Sequence, residues 1–186
     1  MNAQEFESRY VREGDPWGYR TSEYEQRKYA RTLDACGPGP FESALELGGS
    51  IGVFSAMLAP RCRSLSTVDF SPTAVRCATA ELAPFPHAHA ILGPIPAALP
   101  DGLFELVVAS EVLYYLEAET LLGTFEALRP RLAQSGRLVA VHWIKTGPER
   151  PLSAHEVHAA LRGLDWLTSV RSEVHDAYLL DVLERQ

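Results

Sequence analysis

Ala44-Leu45-Glu46-Leu47-Gly48-Gly49-Ser50-Ile51-Gly52-Val53-Phe54-Ser55-Ala56-Met57 decides how the 186-residue chain is read. A short, mostly apolar run ends in a glycine-rich turn, and a helical run follows directly. A strand–turn–helix of this kind opens a parallel α/β sheet, whose glycine turn lets a ligand lie against backbone at the carboxyl ends of the strands.

Outward from this turn the pattern repeats. Short, nearly continuous apolar runs at 44–47, 65–68, 90–92, 104–109 and 138–143 read as strands covered on both faces. Helical runs at 53–58, 73–82 and 119–132 lie between most of them, with Ser71-Pro72 as a capped helix start. Three prolines between Leu92 and Pro100 leave a short helix or none in that crossover. The alternation predicts an α/β, Rossmann-like, doubly wound and mostly parallel sheet. After a further helix at 153–161, strand-like runs at 166–174 and 177–183 predict a hairpin that completes seven strands with an antiparallel edge. Residues 1–40 show no strand pattern. They read as two helices, the second opened by Ser22-Glu23-Tyr24-Glu25, and form an N-terminal helical cap on the 41–186 core within one domain.

Composition excludes other classes. Seventeen basic against 24 acidic residues give a net charge of −7, with the basic residues scattered, which argues against nucleic-acid binding. No apolar run is long enough to span a membrane, and the charged start does not read as a signal peptide. Cys36, Cys62 and Cys77 lack paired spacing, so reduced thiols in a cytoplasmic protein are expected, and no metal. His155 and His158 share a helix without a third ligand, and His87 and His89 read as surface residues.

Two ligands compete for the turn. A dinucleotide wants G-x-G-x-x-G, and from Gly48 this chain offers Ser50 where the second glycine should stand and no glycine at the third position, which disfavours a nicotinamide-dependent oxidoreductase. S-adenosylmethionine has no phosphate; its ammonium, carboxylate and ribose suit Glu46 before the glycines and Asp69 after the second strand.

Glu46-x-Gly48-x-Ser50-x-Gly52, Val68-Asp69-Phe70-Ser71 and the run from Phe104 to Leu116 together resemble the class I S-adenosylmethionine-dependent methyltransferases. Asp15-Pro16-Trp17 and Ser110-Glu111-Val112-Leu113-Tyr114-Tyr115-Leu116 resemble, more narrowly, the nodulation protein S family, which N-methylates the free amino group of a deacetylated chitooligosaccharide. The resemblance implies that Glu46, Gly48, Gly49, Ser50 and Gly52 shape the methionine side of the cofactor pocket. Asp69 would hold the ribose, with Phe70 and Ser71 beside the adenosine, and Ala109, Ser110 and Glu111 would line the methionine end. Two departures stand out: Ser50 replaces a glycine, and the acidic residue expected near Leu92-Gly93-Pro94 is missing, leaving adenine to backbone groups of Gly93 and Ile95.

Methyl transfer needs alignment and, for an amine or hydroxyl, a proton acceptor. Glu111 is the first candidate to hold an ammonium or take its proton, His142 the second and Tyr114 the third catalytic candidate, with one of Tyr114 and Tyr115 expected to face the cleft and the other the core. Trp17, Tyr19, Tyr24 and Tyr29 offer aromatic faces to a cation, and Arg27 can pair with the cofactor's carboxylate. The expected function is small-molecule N-methylation of an amine or amino sugar, releasing S-adenosylhomocysteine; O-methylation and a non-catalytic cofactor-binding module are the alternatives. Neither the acceptor nor the oligomeric state follows from the sequence.

Overall fold

In a computed structural model of the chain, residues 3–145, 147 and 149–186 are described. The first two residues of the expected 1–40 cap lie outside them. Helix α1 (Ala3–Glu13) and helix α2 (Glu23–Cys36) precede the sheet. They are joined by a turn in which the Asp15 carboxylate accepts from the backbone N–H of Tyr19 and Arg20, both at 2.9 Å. This holds Trp17 and Tyr19 toward the core rather than leaving a loose linker. Ser22 caps α2 by accepting from the Glu25 N–H, as its sequence pattern predicts.

The core alternates as expected: β1 (Ala44–Leu47), α3 (Val53–Leu58), β2 (Leu65–Asp69), α4 (Pro72–Glu81), β3 (Ala88–Leu92), β4 (Phe104–Ser110), α5 (Ala118–Leu128), β5 (Leu132–Trp143), α6 (Ala154–Arg162), β6 (Leu167–Val174) and β7 (Tyr178–Arg185). The seven strands are ordered β3-β2-β1-β4-β5-β7-β6. The first five are parallel to one another, and β7 runs antiparallel to both β5 and β6. The hairpin therefore does not simply extend the edge: its second strand inserts beside β5, and β6 becomes the outer strand.

Period-two alternation divides the central strands between two apolar layers. Leu45, Leu47, Val107 and Ala109 pack with α5 and α6, whereas Ala44, Leu106 and Val108 pack with α2 and α3. Burying both layers covers the central strands on both sides, which is why their sequences read as continuous apolar runs. Two boundaries differ most from expectation. Helix α5 stops at Leu128 because Pro130 cannot continue it. Strand β5 begins at Leu132 rather than 138, with residues 133–136 bulging opposite Phe104 and Leu106.

Candidate functional site

A cavity of about 280 Å³ opens at the carboxyl ends of β1, β2, β3 and β4 and is roofed by α1 and the Trp17–Tyr19 turn. Its floor is the turn after β1. An added Cβ at Gly49 would fall 1.7 Å from Thr67 Oγ1, so only glycine lets the turn lie this close to β2. Gly52, at φ 84°, caps α3, and a Cβ added there would fall 2.8 Å from the Ala78 Cα, so glycine at this position permits the close packing of α3 on α4. Ser50 adopts φ 50°, a left-handed conformation that glycine would take more easily. Its polar groups tie three elements together: the Ser50 N–H donates to Asp69 Oδ2 at 2.9 Å, and its hydroxyl meets the Tyr10 hydroxyl of α1 at 2.6 Å.

Glu46, Gly48, Gly49, Ser50, Asp69, Phe70, Gly93, Ile95, Ser110, Glu111, Trp17 and Tyr19 all line this one cavity. Glu46 is buried beneath the turn and accepts from the Ser55 hydroxyl. No ion pair reaches it among the described residues, and burial pushes its carboxyl up to about 7. Asp69 is also displaced upward by burial, partly offset by the N–H groups of Ser71 and Ser50. The Ser110 hydroxyl is buried without a hydrogen-bond partner.

The structure does not bring every expected residue here. Gly52 and Ala109 support the site from behind rather than lining it. Ser71 is buried, caps α4, and donates its hydroxyl to Glu7 at 2.5 Å. Arg27 is exposed and paired with Glu23 at 3.3 Å, because it sits on the outer face of α2. The next residue, Lys28, is buried and turned inward with Tyr29 and Thr32. Tyr114 packs in the core and donates to Glu111, while Tyr115 faces the cavity. His142 is fully buried with both ring nitrogens engaged, so it cannot act as a base facing the cavity.

Glu111 is the most constrained group at the site. Its backbone takes φ 57°. Lys28 Nζ lies 2.7 Å from Glu111 Oε1 and 2.9 Å from Glu25 Oε2. Glu111 Oε2 accepts from the Tyr114 hydroxyl and, at 3.1 Å, from the Trp143 N–H. Burial alone would favour neutral Lys28, but the attraction of Glu111 and Glu25 outweighs it and its pKa is raised. Arg150 stacks on Tyr114, Trp143 and Tyr115, 4.5, 5.0 and 5.9 Å from the ring centres.

Sequence reading missed Lys28, Phe6 and Tyr10. Helical phase was the available signal: positions 6 and 10 share one face of α1, and 28, 32 and 35 share one face of α2. His158 is buried and bonded to Asp181, while His155 is exposed, and no metal-type cluster occurs among the described residues.

A family model described as nodulation protein S matches residues 2–141. The chain is 33% identical over 127 residues to nodulation protein S of Sinorhizobium fredii, covering 67% of this chain and 59% of that protein. It is 38% identical over 103 residues to nodulation protein S of Bradyrhizobium diazoefficiens, covering 55% and 49%. It thus spans about half to three-fifths of these relatives' length. Among solved structures, the N-methyltransferase NodS of Bradyrhizobium japonicum WM9 in complex with S-adenosyl-l-homocysteine superposes with a TM-score of 0.87 at 25% identity, covering 100% of this chain and 99% of that one. A putative methyltransferase from Pseudomonas syringae gives a TM-score of 0.77 at 36% identity, covering 88% and 100%.

Proposed function

This chain belongs to the nodulation protein S family and has the Rossmann-like fold of class I methyltransferases; from that premise we propose that it is an S-adenosylmethionine-dependent methyltransferase acting on a small-molecule amine. The observation that carries the reading is one aromatic cavity holding two carboxylates, buried Glu46 and half-buried Asp69, with no ion-pair partner among the described residues. Such a cavity suits a cationic ligand: the carboxylates attract it, and aromatic faces add about 0.5–2 kcal/mol each. The unpartnered Ser110 hydroxyl supplies a further polar contact.

When bound, the cofactor supplies an electrophilic methyl on a positively charged sulfur. Glu46 and the turn from Gly48 to Ser50 would hold its amino-acid end. Each Asp69 oxygen already accepts an N–H, leaving lone pairs for the ribose hydroxyls. Gly93 and Ile95 would face the adenine. Phe6, Tyr10 and Trp17 pack edge-on or tilted against one another above the cavity and exclude water.

The acceptor end differs in charge. Lys28 faces two carboxylates, Glu25 and Glu111, so its one positive charge is shared between them, and Glu111 on the cavity wall can still attract an ammonium. Glu111 would orient the acceptor amine with the lone pair left on Oε1, and the rigid network around it limits reorganisation during transfer. An amino sugar is the leading acceptor. The scattered basic residues speak for a small molecule rather than nucleic acid, and no described helix is long and apolar enough to cross a membrane.

Isothermal titration with S-adenosylmethionine tests the first half: binding below about 100 μM is expected, and no binding at about 1 mM would sink the reading. Labelled methyl transfer to a panel of amines and alcohols tests the second. Transfer to alcohols alone moves the reading to O-methylation, and binding without any transfer reduces it to a cofactor-binding module.

A further inference from the structure

Behind the cavity a chain of buried polar groups runs from the turn after β4 to the inserted strand β7. The Leu113 N–H points to His142 Nε2 at 3.2 Å. His142 Nδ1 lies 3.1 Å from His158 Nε2 on α6, and His158 Nδ1 lies 2.8 Å from Asp181 Oδ2 on β7. Arg162 closes the chain at 2.6 Å from the same carboxylate oxygen. His142, His158 and Asp181 are each 1% exposed or less. Such a set of buried groups is costly unless every member is satisfied.

Its two ends fix its direction. A backbone N–H can only donate, so His142 Nε2 must offer a lone pair and its proton must sit on Nδ1. A carboxylate can only accept, so the proton of His158 must also sit on Nδ1. The two requirements meet without conflict at the central contact, where His142 Nδ1–H donates to His158 Nε2. Both rings are therefore neutral Nδ1–H tautomers. One added proton has no free place: on His158 Nε2 it forces His142 to accept at Nδ1 and carry its proton on Nε2, donor against donor with the Leu113 N–H.

We propose that His142, His158 and Asp181 form a one-way relay that positions the Leu113–Tyr115 turn, and that uptake of one proton by the relay releases that turn. Tyr114, which holds Glu111, and Tyr115, which lines the cavity, stand on this turn, so the relay acts through them as a set of positioning residues. The surroundings oppose the proton. Burial and the neighbouring ring of His158 displace His142 well below its usual value, with Lys28 of α2 and Arg150 of the loop after β5 acting in the same direction. Tyr114 packs across the His142 ring at 5.0 Å. Burial would raise the Asp181 carboxyl, but hydrogen bonds from His158 and Ser172 of β6 and the Arg162 guanidinium hold it below its usual value.

The effect on turnover rests on the methyltransferase reading; the proton arrangement does not. Nitrogen NMR of the ¹⁵N-histidine-labelled full chain at neutral pH should show pyrrole-type Nδ1 and pyridine-type Nε2 at both rings, and the Leu113 amide resonance should move with their titration. An Nε2–H tautomer at either ring, or a Leu113 amide indifferent to it, overturns the proposal even if the protein methylates nothing. His158→Gln can still accept from His142 but does not titrate; it should keep kcat within about threefold at pH 7.5 and move the acid limb of kcat to lower pH. His158→Leu leaves His142 unpaired and should lower kcat about tenfold or more with cofactor Kd unchanged, a loss of about 1.4 kcal/mol in transition-state stabilisation. Wild-type behaviour in both variants overturns the positioning role.

Discussion

Two carboxylates stand at the carboxyl ends of adjacent strands and face the same cavity, yet they are held in opposite ways. Glu46, at the end of β1, is buried under the glycine turn with a serine hydroxyl and no cation, and its carboxyl sits near 7. Glu111, just past β4, is clamped by Lys28, Tyr114 and the Trp143 N–H. An unpaired buried carboxylate is an incomplete site whose missing charge belongs to a ligand. A clamped one is a finished part of the scaffold that orients something else. On the proposed function, the difference divides the cavity into a cofactor half awaiting positive charge and an acceptor half built in advance.

The variant that breaks this contrast most severely is Lys28→Met. Removing the cation from a buried pair strands Glu111 and Glu25, and a loss of about 3–5 kcal/mol of stability is expected, read by urea unfolding. A loss under about 1 kcal/mol would mean that Glu111 does not depend on its clamp. Glu111→Gln keeps the shape and removes the charge. It should lower kcat about a hundredfold while cofactor Kd stays within about threefold; unchanged turnover would take Glu111 out of the transfer step.

Glu46→Gln should do the reverse. Its effect is on binding, with cofactor affinity about tenfold weaker at pH 8 and little further change in kcat at saturation. It should also stabilise the ligand-free protein by about 2 kcal/mol at pH 8. The sign follows from the displaced acid: a carboxyl raised from 4.5 to about 7 is favourable below 4.5, and that contribution is lost as pH rises through 7. His142 has the opposite sign, because its neutral form is favoured; its contribution is present above 6.5 and is lost as pH falls below that value. Between pH 5 and 7 the two contributions oppose each other, so stability measured against pH should slope more upward than wild type in Glu46→Gln and more downward in His142→Gln. The smallest effect is expected from Arg27→Ala, within about 0.5 kcal/mol in stability, since its pair with Glu23 is exposed. A large loss there would mean that α2 contributes through its outer face as well.

The cofactor half was largely legible in the sequence because it is local: Glu46, the glycines and Ser50 lie within seven residues, and Asp69 follows one strand–helix–strand unit later. The acceptor half was not, because it is assembled across the chain. Lys28 meets Glu111 over a separation of 83 residues, and choosing it over Arg27 required the rotational phase of α2 rather than charge alone. His142 was visible as a titratable group at the end of β5, but what it touches depends on α6 and on where β7 lies. Alternation of apolar runs predicts a closing hairpin without saying which of its strands joins the sheet. The long β5 was shortened in reading because Ser135-Gly136 interrupts its pattern with a bulge.

That insertion of β7 has a consequence for how the molecule comes to exist. On the ribosome β5 is made some forty residues before β7, the partner on its second flank, and β6 emerges before β7 yet docks outside it. Until residues 178–185 are available, the flank of β5 is an open edge, His158 has no carboxylate to meet, and β6 has nothing to pair with. An open edge of this kind is a template for wrong association. Completion of the sheet and completion of the polar chain behind the cavity are thus one late event, so a nascent chain paused before residue 178 should be trapped by holdase chaperones and one in which residues 178–185 can reach the sheet should not.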